Sequence, residues 1–302
     1  MSPGLATIRL DGRQTLAVWA DGFVLPLAEA ARRCGISKPT PRSVREALSD
    51  WDTWCAVVGQ VAGDGWLAET EVAFLPAITD PPTVYCAAAN YHDHVKEMSS
   101  TADGGNWLSP MHFLTPPATL SGHRQPVARP AGCRRFDWEV ELAVIIGQPA
   151  ANVAAADAGA VIAGYAVADD LSLRDFARRE DYPFFPDWLR SKGYPGCLPL
   201  GPAIVPAAFV PDPMDLELAL SVNGERRQGS STKNMIFSIA DQIEYLSAIA
   251  PLQVGDVILT GTPAGTGNAW GAYLSPGDVV VAEIHGLGRL ETPIAEHGGE
   301  PR

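Results

Sequence analysis

The sequence predicts an α+β protein in which β-structure dominates. Its 29 glycines and 26 prolines separate short apolar runs along the whole chain, a pattern typical of turn-rich sheets. Residues 216–222 place leucine or valine at every second position and lead into Asn223-Gly224, a strong signal for a two-residue hairpin turn. Residues 236–249 instead repeat isoleucine and leucine at helical spacing, so an amphipathic helix is expected there.

Composition and charge narrow the class of protein. The chain of 302 residues is 46% hydrophobic and 19% charged, which is typical of a folded domain. Its net charge of −13 disfavours nucleic acid and anionic membrane as partners. No signal peptide and no run near the ~20 apolar residues of a membrane span are visible, so we expect a cytoplasmic protein. The five scattered cysteines are expected to be free thiols.

A proline-rich stretch at residues 75–82 is predicted to divide the chain. Residues 1–76 are expected to form a small N-terminal α/β module, and residues 77–302 the larger catalytic domain, where the chemistry-bearing motifs are dense. In the module, two strands flank an Asp21-Gly22 turn. The other expected elements are helices near residues 27–34, 43–54 and 154–160, and strands near 83–88, 161–169, 257–261 and 279–284.

Residues 136–147 carry the strongest chemical signal. They alternate as a strand does, which puts Glu139 and Glu141 on one face, about 6–7 Å apart at Cα. Like charges this close in a partly desolvated place require either a proton or a cation between them. Together with Asp170, at the end of a later strand, the two glutamates offer three oxygen ligands suited to Mg²⁺ or Mn²⁺.

The third ligand is open between two neighbours, because Asp169 offers the same oxygen atoms as Asp170. One of the two is expected to cap the following turn, as aspartate commonly does. Histidines and cysteines are not grouped at the spacing that zinc requires, so zinc is disfavoured.

His94 and Glu97 form a second candidate constellation. They are spaced i,i+3 on a predicted helix that Asn90 would cap, so their side chains share a face. A carboxylate beside an imidazole orients the ring and raises its basicity, as a water-activating general base requires. The alternative is a surface pair worth roughly 0.2–1 kcal/mol. His92 and His94 also give an H-x-H pattern, but Glu97 follows too soon for a cupin-type metal site.

Basic and amide side chains near Gly/Pro-rich turns complete the candidates. Arg174, Lys192 and Gln228 are suited to hold a substrate carboxylate or a developing oxyanion, although each alone is more often a solvated residue. Residues 260–267 form a Gly-rich loop that matches no phosphate-binding motif, so we expect it to present backbone N–H groups and the Thr262 hydroxyl to an anionic substrate. A serine hydrolase is disfavoured because no G-x-S-x-G is present.

Taken together, these segments resemble the fumarylacetoacetate hydrolase family over about residues 83–294. The resemblance implies a mixed β-sandwich roll, usually in a homodimer, which periodicity alone does not predict. It rests on these segments in order: Asn90-Tyr-x-x-His94-x-x-Glu97, Asp137-x-Glu139-x-Glu141-Leu-Ala, Gly164-Tyr with Asp170-x-Ser172-x-Arg174-Asp175, Lys192 with Pro199-Leu-Gly-Pro202, Asn223-Gly-Glu-x-x-Gln228, Asn234-Met235-Ile-Phe, and Gly255-Asp-Val-Ile-x-Thr260-Gly-Thr-Pro263.

The same resemblance implies a role for each candidate residue. The pair His94 and Glu97 would activate water from a segment that tends to order as a lid, and Lys192 would stabilise an oxyanion or transfer a proton. Two departures bear on specificity: Asp169 stands where many relatives have Asn, and the excursion over residues 176–190 is longer than in compact members. The implied metal ligands are Glu139, Glu141 and Asp170, and the implied substrate-binding residues are Arg174, Gln228 and Thr262.

The activity implied is Mg²⁺- or Mn²⁺-dependent hydrolysis of a C–C bond in a 2,4-diketo acid, an acylpyruvate or a 2,4-diketo-3-deoxy sugar acid, with release of pyruvate or a related 2-oxo acid. Two other functions stay open. The same metal site suits decarboxylation of oxaloacetate or keto–enol isomerisation of a dienoate diacid. The third reading is a non-catalytic protein that keeps the fold for binding.

Overall fold

Two packed layers of β-sheet enclose the main apolar core, so the prediction of a β-dominated α+β fold is confirmed. The computed structural model describes residues 1–98, 108–182 and 186–297. Within those ranges, no helix has the length and apolar character needed to cross a membrane. All five cysteines are free thiols, as their scattered positions lead us to expect.

The N-terminal residues form a strand meander with helices packed on it. Asp21 and Gly22 both hold positive φ angles, as the expected two-residue turn requires. The helix expected over residues 43–54 is instead two helices, because Ser49 ends the first and Asp50 precedes the second, and both residue types favour helix ends. The elements are β1 (Gly4–Leu10), β2 (Arg13–Ala20), β3 (Phe23–Pro26), α1 (Leu27–Arg33), α2 (Val44–Leu48), α3 (Trp51–Gln60), β4 (Leu67–Ala68) and β5 (Ala73–Phe74).

A large mixed sheet runs from this module into the rest of the chain. Its path is β4-β3-β2-β1-β14-β12-β11-β17-β6-β7, with β5 paired to β1 and β8 to β14. Because β1 pairs with β14 at Leu5 and Ile204, the module and the larger region share one sheet, and the boundary near residue 76 stays a prediction. The strands are β6 (Val84–Ala87), β7 (His112–Thr115), β8 (Leu120–Ser121), β11 (Val140–Ile146), β12 (Ile162–Asp169), β14 (Leu198–Pro206) and β17 (Val257–Leu259).

The second layer is a sheet in the order β16-β15-β18-β19-β9. The predicted hairpin is present between β15 and β16, with positive φ at both Asn223 and Gly224. Side chains such as Leu142 and Tyr165 from the first sheet and Leu220 from the second share one buried apolar core. The strands are β9 (Val127–Ala128), β15 (Glu217–Val222), β16 (Glu225–Ser231), β18 (Val279–Ile284) and β19 (Gly288–Ala295), and a separate two-stranded ribbon joins β10 (Phe136–Asp137) to β13 (Ser172–Leu173).

Short helices follow the N-terminal module and connect the strands of the larger region. The helix predicted over residues 236–249 begins only at Ile239, because Ser238 and Asp241 form a capping box at its first turn. The helix expected near residues 154–160 is a 3₁₀ segment, Ala155–Val161. The α-helices are α4 (His92–Met98), α5 (Trp188–Lys192), α6 (Ile239–Ile249) and α7 (Gly267–Trp270).

The segment expected as one strand over residues 136–147 is interrupted at Trp138 and Glu139, between β10 and β11. Side chains, rather than a neighbouring strand, bind the backbone amides there. The Glu139 amide donates to Asp169 Oδ1 at 2.8 Å, and the Val140 amide donates to Gln228 Oε1 at 3.0 Å. The interruption leaves Glu139 free of ladder pairing and turned towards the end of β12.

Candidate metal centre and active site

Three buried carboxylates converge where β11 and β12 meet. Glu139, Glu141 and Asp170 each bring one oxygen to within 4.8 Å of the others. Antiparallel pairing of Val140 with Asp169 sets this arrangement, because it places the residue after β12 opposite the acidic segment. The Asp170 amide also donates to the Glu139 carbonyl at 2.9 Å, which fixes the two backbones together.

Lys192 supplies positive charge to two of the three carboxylates. Its Nζ donates to Glu139 Oε2 at 2.7 Å, to Asp170 Oδ2 at 2.6 Å and to the Asp170 carbonyl at 2.8 Å. Burial opposes ionisation of Glu139, but Lys192 and Arg174 outweigh it and lower its pKa to about 2. Burial also works to lower the pKa of Lys192, yet Asp170 and Glu139 raise it above its usual value. The ammonium therefore stays charged.

Of the three carboxylates, Glu141 is the one that lacks an ion-pair partner among the described residues. Its Oε2 accepts a hydrogen bond from the Gly261 amide at 2.7 Å. Burial, followed by the nearby charges of Asp170 and Glu139, raises its pKa well above the usual value. No cation faces the Glu141 carboxylate among the described residues. The carboxylate oxygens of the triad are ligands that suit Mg²⁺ or Mn²⁺.

Asp169 and Asp170 divide the roles that the sequence leaves open between them. Asp170 faces the two glutamates, whereas Asp169 Oδ1 accepts the Glu139 amide. The other oxygen of Asp169 is buried and has no hydrogen-bond partner among the described residues, and burial raises the pKa of this carboxyl to about 7.

Asp137 is a site residue that sequence reasoning did not single out. It is fully buried, and its Oδ2 accepts from Arg174 Nε at 2.8 Å while Oδ1 accepts the Gly267 amide. Arg174 also forms an ion pair with Glu139. Asp137 therefore orients Arg174 beside the triad, and the signal for it is its place on the same strand face as Glu139.

His94 and Glu97 meet on α4 as their spacing predicts. His94 Nδ1 lies 3.1 Å from Glu97 Oε2, and Glu97 Oε1 accepts the Gly265 amide at 2.8 Å. Burial works to raise the pKa of Glu97, but the hydrogen bonds from His94 and Gly265 prevail and hold it below its usual value. An ionised Glu97 accepts the Nδ1 proton of His94, which leaves Nε2 as the basic nitrogen.

The Asn90 side chain does not cap α4, contrary to the expectation from the sequence. Its Nδ2 donates to the carbonyls of Phe237 and Thr260 at 3.0 and 2.9 Å, and its Oδ1 accepts the Phe237 amide at 2.9 Å. These bonds tie the start of the α4 segment to the loops that precede α6 and follow β17.

Gln228 and Thr262 brace the backbone between the two glutamates. Gln228 Nε2 donates to Thr262 Oγ1 at 2.9 Å and to the Pro263 carbonyl at 2.8 Å, and Thr262 donates to the Val140 carbonyl at 2.9 Å. Their hydrogen-bonding groups bind the chain itself in this structure. Substrate binding by these two residues stays a prediction.

The Gly-rich loop over residues 260–267 offers backbone N–H groups, as expected, but to carboxylates of the protein. The amide of Gly261 binds Glu141, that of Gly265 binds Glu97, and that of Gly267 binds Asp137. One loop therefore positions a residue from the triad, one from the dyad and the carboxylate that orients Arg174.

A buried carboxylate triad and a carboxylate–histidine pair, joined by one loop on a β-rich scaffold, define a candidate metal-dependent enzyme site. Residues 83–295 match the model of the fumarylacetoacetate (FAA) hydrolase C-terminal domain. The chain belongs to the fumarylacetoacetate hydrolase family, whose members include hydrolases, isomerases, decarboxylases and oxaloacetate tautomerases.

Similar proteins support the family assignment. An uncharacterised protein of Pyrococcus abyssi is 42% identical over 71% of this chain and 90% of its own length. Human mitochondrial oxaloacetate tautomerase FAHD2A is 38% identical over 74% of this chain and 69% of its own length. The solved structure of a fumarylacetoacetate hydrolase from Exiguobacterium antarcticum matches 98% of this chain and 100% of its own, with 30% identity and a TM-score of 0.78. The fold expected from the resemblance is thereby confirmed.

The role of Asp169 can be tested by comparing two substitutions. Asp169→Asn keeps the oxygen that accepts the Glu139 amide and removes a buried charge, so we expect stability equal to or above that of the wild type. Asp169→Ala leaves the Glu139 amide unpaired, so we expect a loss of about 1–3 kcal/mol. Urea unfolding measures both. Equal losses in the two variants would show that the Glu139 bond is not what Asp169 contributes.

Binding of metal at the triad predicts a thermal shift. At a hundredfold excess over Kd, Mg²⁺ or Mn²⁺ should stabilise the fold by about 2.7 kcal/mol, or roughly 4 °C in Tm for a chain of this length, and EDTA should reverse the shift. The matched variant Glu141→Gln keeps the acceptor for the Gly261 amide but lacks the charge, so its Tm should respond weakly. A full shift in Glu141→Gln would place the metal elsewhere.

Proposed function

We propose that the chain is a divalent-metal-dependent hydrolase that cleaves a C–C bond of a 2,4-diketo acid and releases pyruvate or a related 2-oxo acid. The observation that carries this proposal is the His94–Glu97 pair. Its carboxylate is fixed by the Gly265 amide, His94 is buried, and the loop that supplies this amide also binds Glu141 of the triad. An oriented base beside a metal site is what activation of water requires.

The residues present fit the metal that this chemistry uses. Glu139, Glu141 and Asp170 would hold Mg²⁺ or Mn²⁺, which when bound supplies Lewis-acid polarisation of the 2-oxo acid. Acylpyruvates and 2,4-diketo-3-deoxy sugar acids share that chelating end, so the proposal covers both.

The dyad supplies the base for hydrolysis. With Glu97 holding Nδ1–H, His94 takes a proton from water through Nε2, and the water oxygen bonds to the carbonyl carbon distal to the 2-oxo acid. The bond from that carbon to the methylene then breaks. Its electron pair leaves as the enolate of the 2-oxo acid, which takes up a proton at carbon. One water is consumed, and a carboxylate and a 2-oxo acid are formed.

Two cations complete the proposed machinery. Lys192 is a fixed positive charge beside Glu139 and Asp170, and we assign it to the oxyanion that forms when water adds. Arg174, oriented by Asp137, is assigned to a substrate carboxylate, for which its planar donors are suited. Gln228 and Thr262 are assigned to the substrate pocket next to Val140.

A second candidate function is tautomerisation, or decarboxylation, of oxaloacetate or a dienoate diacid at the same centre. The similarity to human oxaloacetate tautomerase over 74% of this chain favours it. Neither reaction consumes water, so neither needs the water-activating His94–Glu97 pair. A non-catalytic binding role ranks third, because every position of the proposed machinery is filled.

Assembly and location also belong to the proposal. Exposed apolar side chains on and next to the edge strand β7, Met111 and Leu114, favour the homodimer expected from the resemblance. A cytoplasmic location stays a prediction.

Replacing His94 separates the candidate reactions. In His94→Gln, kcat for acylpyruvate hydrolysis should fall about 10²–10⁴-fold, because the water-activating base is lost, while the metal-induced rise in Tm remains. Loss of β-diketone enolate absorbance together with pyruvate release measures hydrolysis, and the exposed His285→Gln is the control.

The outcomes are distinct. Metal-dependent release of pyruvate by the wild type, lost in His94→Gln, supports the hydrolase. If the wild type tautomerises or decarboxylates oxaloacetate but releases no pyruvate from any diketo acid in the panel, the hydrolase proposal is wrong and the second candidate replaces it.

A further inference from the structure

We infer that Trp138 is a positioning residue for the His94–Glu97 pair and acts on it through the backbone of Gly265. The inference rests on the proposed function, because it concerns the same dyad. Trp138 lies in the apolar core, where a tryptophan would otherwise be regarded as a packing residue only.

A continuous chain of hydrogen bonds carries the inference. Trp138 Nε1 donates to the Gly265 carbonyl at 3.0 Å, the Gly265 amide donates to Glu97 Oε1 at 2.8 Å, and Glu97 Oε2 lies 3.1 Å from His94 Nδ1. Trp138 is 1% exposed, so water cannot replace the Gly265 carbonyl as a partner for the indole. Breaking this bond leaves a buried donor unsatisfied.

Gly265 is held in a conformation that depends on its surroundings. Its φ is +100°, and a Cβ at this position would lie 2.2 Å from the Arg227 carbonyl, so only glycine fits. Glycine alone does not select one orientation of its peptide groups. Trp270 Nε1 shares its hydrogen between the same Gly265 carbonyl at 3.1 Å and the Arg227 carbonyl at 3.2 Å. The two indoles therefore fix the peptide group that follows Gly265 and, through the φ and ψ angles of this residue, constrain the amide that faces Glu97.

The position of Trp138 connects the dyad to the triad. It lies between Asp137, which orients Arg174, and the candidate ligand Glu139. The interrupted segment between β10 and β11 therefore does two things at once: it delivers Glu139 to the triad and fixes the loop that receives Glu97 from α4. We expect correct docking of α4 to require this segment to be in place.

Trp138→Phe tests the inference, because it keeps an aromatic ring and removes the indole donor. We expect kcat to fall about 10- to 100-fold as the dyad loses its alignment, with KM changed less than about threefold. The metal-induced rise in Tm should be retained. The matched control is Trp19→Phe, which loses an equally buried indole bond, 3.1 Å to Glu69, in the N-terminal module and should leave kcat unchanged.

A readout that does not need turnover is the tautomer of His94. In spectra of protein labelled with ¹⁵N-histidine and assigned with His94→Gln, the fraction of the Nδ1–H form should fall in Trp138→Phe and, to a smaller extent, in Trp270→Phe. Trp270 is half-exposed, so this variant decides the matter if Trp138→Phe does not fold.

An unchanged tautomer fraction in the folded variants, or a loss of kcat no greater than in Trp19→Phe, would overturn the inference. A tautomer shift in a protein that hydrolyses no diketo acid would sustain the inference and overturn the proposed function instead.

Discussion

The structure depends on compensating the negative charge of a group of buried carboxylates. Among the described residues, Asp137, Glu139, Glu141, Asp169 and Asp170 are all buried around the ends of β10, β11 and β12, and the cations Lys192 and Arg174 face them. Breaking a buried ion pair leaves an uncompensated charge and costs several kcal/mol, so such a cluster persists only where each member is hydrogen-bonded. Here Glu141 relies on a backbone amide and has no ion-pair partner among those residues, which is the arrangement that a further cation would complete.

Hydrogen bonds from backbone amides stabilise the same carboxylates. The loop over residues 260–267 gives one amide each to Glu141, Glu97 and Asp137, so the triad, the dyad and the orientation of Arg174 share one support. A displacement of this loop would disturb the triad, the dyad and the orientation of Arg174 together. That common support explains how residues far apart in the sequence can act as one site.

Sequence reasoning succeeds where a local period determines position. The i,i+3 spacing on a helix puts Glu97 beside His94, whereas Glu139 and Glu141 meet as predicted although the strand is interrupted at Glu139. The Asn223-Gly224 hairpin follows from its turn chemistry in the same way. The family resemblance adds the sandwich architecture, which none of these periods contains.

Long-range contacts account for what the sequence does not predict. The interruption at Trp138 and Glu139 arises from hydrogen bonds to Asp169 and Gln228. The alternation of residues within one segment cannot predict such distant partners. The choice between Asp169 and Asp170 depends on the register of β12 against β11. The anchoring of Glu97 by Gly265 joins residues 168 positions apart.

The most direct test of the central claim is anomalous diffraction from crystals soaked in MnCl₂. We expect one strong peak in contact with oxygens of Glu139, Glu141 and Asp170 together. Absence of a peak at that position, with Mn²⁺ bound elsewhere on the protein, would contradict the assignment of these carboxylates as the metal centre.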